Sequence, residues 1–204
     1  MKLFVGEDSI SATCPAGTDI QALATVFRQS GLWAEVVPGM ADLTVKYDPD
    51  ILSVTDAESQ FCALWYMPVQ IDGGTAPSIT LQVCFSNAPD AELVSAALDI
   101  DADMLPDWLC ARQYRVVMMG FQPGFAYLED LDNDDLPDLP RLQTPRQQVA
   151  AGSIGFLGKR ACIYALDGPG GWPIVGRIAA PLFRRDDASP FLLVPGQIIR
   201  LNVL

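Results

Sequence analysis

Apolar residues fall at helical and strand spacings along the first third of the chain. Thr18-Asp19-Ile20-Gln21 reads as a capping box with Thr18 as the N-cap. Ile20, Leu23, Ala24 and Phe27 then share one helical face, and Gly31 supplies a stop. Trp33–Val37 and Leu43–Tyr47 read as strands around a Pro38-Gly39 turn, with Leu43, Val45 and Tyr47 on one side. A second helix is expected after Pro49, burying Val54, Ala57, Phe61 and Leu64. Two helices on a small antiparallel sheet make an α+β unit.

Tyr66–Ser78, which holds Pro68, Gly73, Gly74 and Pro77, is the natural domain boundary. Beyond it Ile79, Leu81, Val83 and Phe85 alternate with Thr80, Gln82 and Cys84, the signature of a half-buried strand. Residues 90–112 read as helix in two pieces broken near Pro106. Apolar runs at 114–119, 154–157, 161–166, 173–178, 190–194 and 197–203 are separated by Gly/Pro turns. Many short strands with frequent turns point to a closed or sandwich-like β structure. The acidic stretch from Glu129 to Asp138 reads as a solvated loop.

Charge narrows the range of partners. Over 204 residues, 25 acidic side chains outnumber 13 basic ones, for a net charge of −12. The summed field of such a chain repels nucleic acid and anionic membrane surfaces, and leaves small anions as ligands of a local basic patch. The chain has no histidine. Ser-His and Cys-His nucleophiles, imidazole bases and His-ligated metal sites are therefore excluded, and no metal site is expected. Five cysteines without Cys-x-x-Cys spacing read as small buried thiols in a reducing cytoplasm. No apolar run approaches the ~20 residues that span a bilayer, and Met1–Asp8 does not read as a secretory leader.

Three Gly/Pro-rich segments carry the candidate chemistry. Gly120–Leu128 follows a strand, and its Phe121, Gly124 and Phe125 could wall a pocket or cross tightly over the core. Pro140–Arg146 fixes Arg141 and Arg146 behind prolines and runs on toward Ser153; these guanidiniums suit a carboxylate or phosphate, or the acidic loop upstream. Gly168–Pro173, with Gly170, Gly171 and Trp172, precedes Arg177. Its glycines could turn N–H groups toward an anion or simply form a hairpin turn under a packed Trp. No catalytic nucleophile or base is singled out, since Cys110 and Cys162 lie in apolar runs with nothing to activate them.

Taken in order, these segments resemble the 5-oxoprolinase B-subunit family, also known as allophanate hydrolase subunit 1 and including sporulation-kinase inhibitors. The family's GFxPGFxYL, PR…PR…VPAGSVG, PGGW…GR and closing LF…P…PG…VR patterns read here as Gly120–Leu128, Pro140–Gly155, Pro169–Arg177, and Leu182-Phe183 through Pro195-Gly196 to Arg200. The resemblance covers nearly the whole chain. It implies a ferredoxin-like α+β domain over residues 1–75 and a mainly-β cyclophilin-like barrel over 76–204. It also implies a second cyclophilin-like subunit and a LamB/YcsF-type subunit as partners, and an assembly that opens 5-oxoproline or a related cyclic amide to glutamate with ATP, accompanied by Mg, as co-substrate. Under that resemblance Arg141, Arg146, Arg177, Gly170, Gly171, Trp172, Phe121, Gly124, Phe125 and Ser153 are the substrate- and ATP-binding candidates. Relatives also leave open a regulator of a sensor histidine kinase, or an inactive subunit that only stabilises its partner. One departure bears on charge: Arg160-Ala161-Cys162 stands where the family often has Gln-Thr-Gly, which would place a cation beside the cleft.

Overall fold

The computed structural model describes residues 1–67, 77–132 and 136–204. The chain divides into two compact units, Met1–Thr75 and Ala76–Leu204. Most of the Tyr66–Ser78 boundary stretch, and residues 133–135 of the acidic stretch, lie outside the described residues.

In the smaller unit β1 (Lys2–Val5), β2 (Ser9–Thr13), β3 (Glu35–Pro38) and β4 (Asp42–Lys46) form an antiparallel sheet in the order β1-β2-β4-β3. Helix α1 (Ile20–Gln29) connects β2 to β3 across β4, and α2 (Val54–Trp65) follows β4. The helical faces meet the sheet where the periodicity predicts for most positions, but Val54, expected in the core, is 44% exposed in the first turn of α2, and Leu64 is only half-buried. Leu23, Ala24 and Phe27 of α1 and Ala57 and Phe61 of α2 bury against Ile10, Ala12, Leu43, Val45 and Tyr47. The cap of α1 lies one residue later than the capping box implies: Asp19, not Thr18, accepts from the Ala22 N–H at 2.9 Å. Asp and Thr are both competent caps, and the carboxylate adds a favourable charge at the positive end of the helix.

The larger unit is mainly β and closes on itself. Its strands are β5 (Ser78–Cys84), β6 (Gln113–Met119), β7 (Ala126–Asp130), β9 (Ser153–Phe156), β10 (Arg160–Ile163), β12 (Ile174–Ile178) and β13 (Ile198–Val203), in the barrel order β10-β7-β6-β13-β5-β12-β9. A separate two-stranded sheet joins β8 (Arg146–Val149) to β11 (Gly168–Gly170). Helices α3 (Ala91–Leu98) and α4 (Leu105–Cys110) pack against β12 and β13 respectively. Pro106 sits in the first turn of α4, where its missing N–H is not needed, so the helical break falls before it, at 99–101.

Strand β10 shows how the unit is layered. Ala161 and Ile163 join the main core with Leu81, Val116, Leu128 and Phe156, whereas Cys162 and Tyr164 point the other way into a second cluster with Phe125, Val149, Trp172 and Ile174. Period-2 alternation thus buries both faces. Gly155 on the neighbouring strand makes room, because a Cβ there would lie 2.7 Å from Cys162 Sγ and 2.8 Å from Trp172 Cβ.

Three sequence expectations are corrected. The run 190–194 forms only an isolated bridge, Phe183↔Phe191, rather than a strand. The acidic stretch does not begin as a solvated loop: Glu129 and Asp130 end β7, and buried Asp130 lies 3.2 Å from buried Arg112, whose guanidinium stacks 3.9 Å over Trp108. Of the five thiols only Cys162 is buried; Cys14, Cys62, Cys84 and Cys110 are half-exposed, and all five are free.

Candidate functional site

Cross-strand pairing sets the site. Arg177 on β12 stands opposite both Cys84 on β5 and Ser153 on β9. Side chains directly opposite on antiparallel strands share a face, so these three meet on the side of the barrel away from the core residues Val83 and Ile178. Arg146, at the start of β8, comes over from the two-stranded sheet. Together with Asn87 and Gln148 these residues border a cleft of about 590 Å³, a volume suited to a small ligand.

Each guanidinium is anchored on one side. Arg146 Nη2 donates to Asp90 Oδ1 at 2.7 Å, while Asp90 Oδ2 accepts the buried Ile174 N–H at 2.6 Å. Arg177 Nε donates to the Ala151 carbonyl at 2.9 Å. That carbonyl is held in place by the turn at Gly152, whose φ of +84° and close approach to the Ile178 carbonyl exclude a side chain. Asp167 secures the same turn by accepting from the Ala151 N–H at 2.7 Å. Arg146 Nη1 is buried with no partner among the described residues. An unpaired buried donor is costly, and here it belongs to a side chain that lines the cleft.

The structure divides the residues singled out from the sequence. Arg146, Ser153 and Arg177 share the cleft. Arg141 does not line it: its guanidinium lies 6.0 Å from the Trp172 ring centre, over the aromatic cluster. Trp172 is buried there beside Phe125, Tyr127 and Tyr164, so it serves packing. Gly170 pairs with Arg146 across the two-stranded sheet, and a Cβ on it would collide with the Tyr164 hydroxyl. The Gly171 carbonyl accepts the Leu142 N–H at 2.7 Å; neither glycine borders the cleft. Gly124 (φ +79°) closes the Gly120–Phe125 turn, with the Cβ atoms of Ala165 and Phe183 each 3.0 Å from where its own would be. Phe121 is 61% exposed in a left-handed conformation (φ +71°), edge-on to Phe125. Arg160 opens β10 opposite Glu129 and is absent from the cleft, correcting the expectation that it adds charge there.

Two residues, one bracing the cleft and one lining it, went unremarked as chemistry in the sequence. Asp90 is the counter-ion of Arg146 from 56 positions away, a distance no local pattern bridges. Cys84 is the polar-face member of an alternating strand; that alternation already placed it opposite the core. A second hollow of about 540 Å³, bordered by Asp99, Asp101 and Trp108, holds none of the candidates.

A mainly-β closed barrel whose outer face carries a guanidinium-lined cleft is the geometry to set beside known proteins. The model of the carboxyltransferase domain, subdomain C and D, matches residues 4–193. Three curated relatives are named as B-subunits of 5-oxoprolinase. The one from Escherichia coli O157:H7 is 31% identical over 169 residues, 81% of this chain and 76% of that protein. The one from Bacillus subtilis (strain 168) is 32% identical over 124 residues, 60% of this chain and 51% of that protein. The chain belongs to the 5-oxoprolinase B-subunit family. Among solved structures, that of TTHA0988 superposes with a TM-score of 0.79 at 24% identity, covering 97% of this chain but 40% of that one; the likeness is one of fold.

Proposed function

We propose that this chain is a subunit of an ATP-dependent hydrolase that opens 5-oxoproline, or a related cyclic amide, to glutamate, and that its cleft holds an anionic group of the substrate or of the activated intermediate. The observation that carries this reading is the convergence of Arg146, Arg177 and Ser153 on one cleft in a chain of net charge −12, with one Arg146 nitrogen left unpaired among the described residues. A lactam is a resonance-stabilised amide with a poor leaving group. Phosphorylating its oxygen makes the carbon electrophilic toward water, a route that needs anion stabilisation more than an imidazole base. Two guanidiniums anchored by Asp90 and the Ala151 carbonyl are preorganised donors for a carboxylate or phosphate.

ATP enters as co-substrate. Mg²⁺ would accompany the nucleotide in this reading, and Asp90, engaged on both oxygens, is not free to hold it. The partners in this reading are a second cyclophilin-like subunit and a LamB/YcsF-type subunit, in the cytoplasm; five free thiols agree with that compartment. The smaller unit, with a helix connecting parallel β2 and β3 across β4, supports a ferredoxin-like description. The closed seven-stranded unit supports a cyclophilin-like one.

The test is ATP-dependent glutamate release from 5-oxoproline by the chain reconstituted with its partner subunits. Arg177→Ala lowers turnover at least about tenfold, the scale of one lost charge-assisted contact, while Arg185→Ala outside the cleft does not. Wild-type turnover by Arg177→Ala and Arg146→Ala removes the cleft from the reaction, and a wild-type complex inert toward 5-oxoproline and other small lactams removes the reaction itself.

A further inference from the structure

Among the described residues, Cys84 is the one thiol that lines the guanidinium cleft. It ends β5 directly across from Arg177, and its Sγ lies 3.0 Å from Ser86 Oγ. Contacts with the Ser86 hydroxyl and N–H hold the thiol below its ordinary range, with a smaller contribution from the Arg177 charge. The other four cysteines are placed differently. Burial pushes Cys14 and Cys110 up and Cys162 far higher, and Cys62 sits on α2 in the smaller unit. An accessible thiol in an electropositive hollow is the setting in which cysteines react. Two guanidiniums border the same hollow: Arg177, directly opposite Cys84, and Arg146, whose side chain keeps 31% of its exposure.

We propose that Cys84 is a modification site for small carboxylate-bearing disulfides, of which oxidised glutathione is the probe, and that Arg146 and Arg177 hold the reagent's carboxylates while the exchange takes place. The Cys84 thiolate attacks one sulfur of the disulfide. A new S–S bond forms as the old one breaks, and the departing half leaves as a thiolate that takes up the proton lost by Cys84. Cys84 is oxidised to the mixed disulfide and one half of the reagent is reduced, so no other oxidant is needed. The adduct occupies the cleft until a thiol reductant releases it. The inference rests on the cleft alone and not on the reaction proposed above.

The experiment uses the full chain with peptide-resolved mass spectrometry. Rates of labelling by iodoacetate, an anion, and iodoacetamide, its neutral analogue, are compared at each cysteine. Cys84 reacts at least about tenfold faster than Cys14, Cys62 or Cys110, and its iodoacetate-to-iodoacetamide ratio exceeds theirs. Arg177→Gln lowers that ratio severalfold at Cys84 only, and Ser86→Ala slows both reagents there. Oxidised glutathione adds one glutathionyl group at Cys84, removed by dithiothreitol and competed by inorganic phosphate. Labelling of Cys84 no faster than of Cys62, or a charge preference unchanged in Arg177→Gln, overturns the proposal. Because none of these readouts involves ATP or a lactam, they stand or fall independently of turnover.

Discussion

Replacing Asp90 with alanine tests the architecture of the cleft most directly. The substitution strands two donors together: the Arg146 guanidinium, 2.7 Å away, and the buried Ile174 N–H, 2.6 Å away. Removing one partner of a buried ion pair costs about 3–5 kcal/mol. The Arg146 side chain keeps 31% of its exposure, so water recovers part of that and about 2–3 kcal/mol remains. The orphaned amide adds about 1–3 kcal/mol. A loss of about 4 kcal/mol is expected, and at ~2–4 °C per kcal/mol it lowers the melting temperature of the larger unit by roughly 8–16 °C. Asp90→Asn, which still offers an oxygen to Ile174, loses about half as much. Pairing the change with Arg146→Met closes a double-mutant cycle in which the second loss is smaller by the charge term. Thermal unfolding gives the totals, and hydrogen exchange at the Ile174 amide localises them. An Asp90→Ala protein within about 1 kcal/mol of wild type, with Ile174 still protected, would refute the account of Asp90 as the brace of the cleft.

Other outcomes follow from the packing. Gly170→Ala forces a Cβ onto the Tyr164 hydroxyl and costs about 1–3 kcal/mol, whereas Gly171→Ala meets nothing closer than Pro145 at 3.6 Å and stays within about 0.5 kcal/mol by urea titration. Burial raises the Asp130 carboxyl above its ordinary range, against smaller opposing effects of the Asp132 N–H and Arg112. Because the folded value lies above the unfolded one, the folded state holds the extra proton between the two. The stability advantage of wild type over Asp130→Asn therefore shrinks as pH rises from about 4 through that window; an advantage that grows instead contradicts the burial argument. In a spectrophotometric titration of the native chain, Tyr164, pushed up to about 12 chiefly by burial, stays protonated through pH 11; ionisation of all five tyrosines near pH 10 would show the second cluster to be open.

How much of this was legible depended on the range of the signal. The alternation of Ile79, Leu81 and Val83 and the helical spacing of Leu23, Ala24 and Phe27 are local, and each element formed where its pattern lies. Strand β7 was hidden because Glu129 and Asp130 carry charge. It is Arg112, 18 positions upstream of Asp130, that makes the buried carboxyl tolerable. Arg141 and Arg146 looked equivalent, each behind a proline. Only pairing between β8 and β11 sends Arg146 to the cleft while Arg141 is left over Trp172. The sequence leaves the glycines at 170 and 171 open between an anion nest and a hairpin turn; what dictates Gly170 is the hydroxyl of Tyr164 pressed against it, a steric demand invisible until β10 is in place.

The parallel pairing of β13 with β5, in register from Ile198↔Ser78 to Val203↔Val83, has a consequence for how the protein is made. β13 is inserted between β5 and β6, so the first strand of the barrel to leave the ribosome has no neighbour on that side until residue 203 has been translated. At roughly 5–20 residues per second the nascent chain must shield that seam for several seconds. The smaller unit, its hairpins and helices contiguous in sequence, is free to fold during the wait. A nonsense codon just ahead of Ile198 would therefore leave a tidy amino-terminal unit attached to an open, sticky ribbon, the kind of product that chaperones hold and proteases clear.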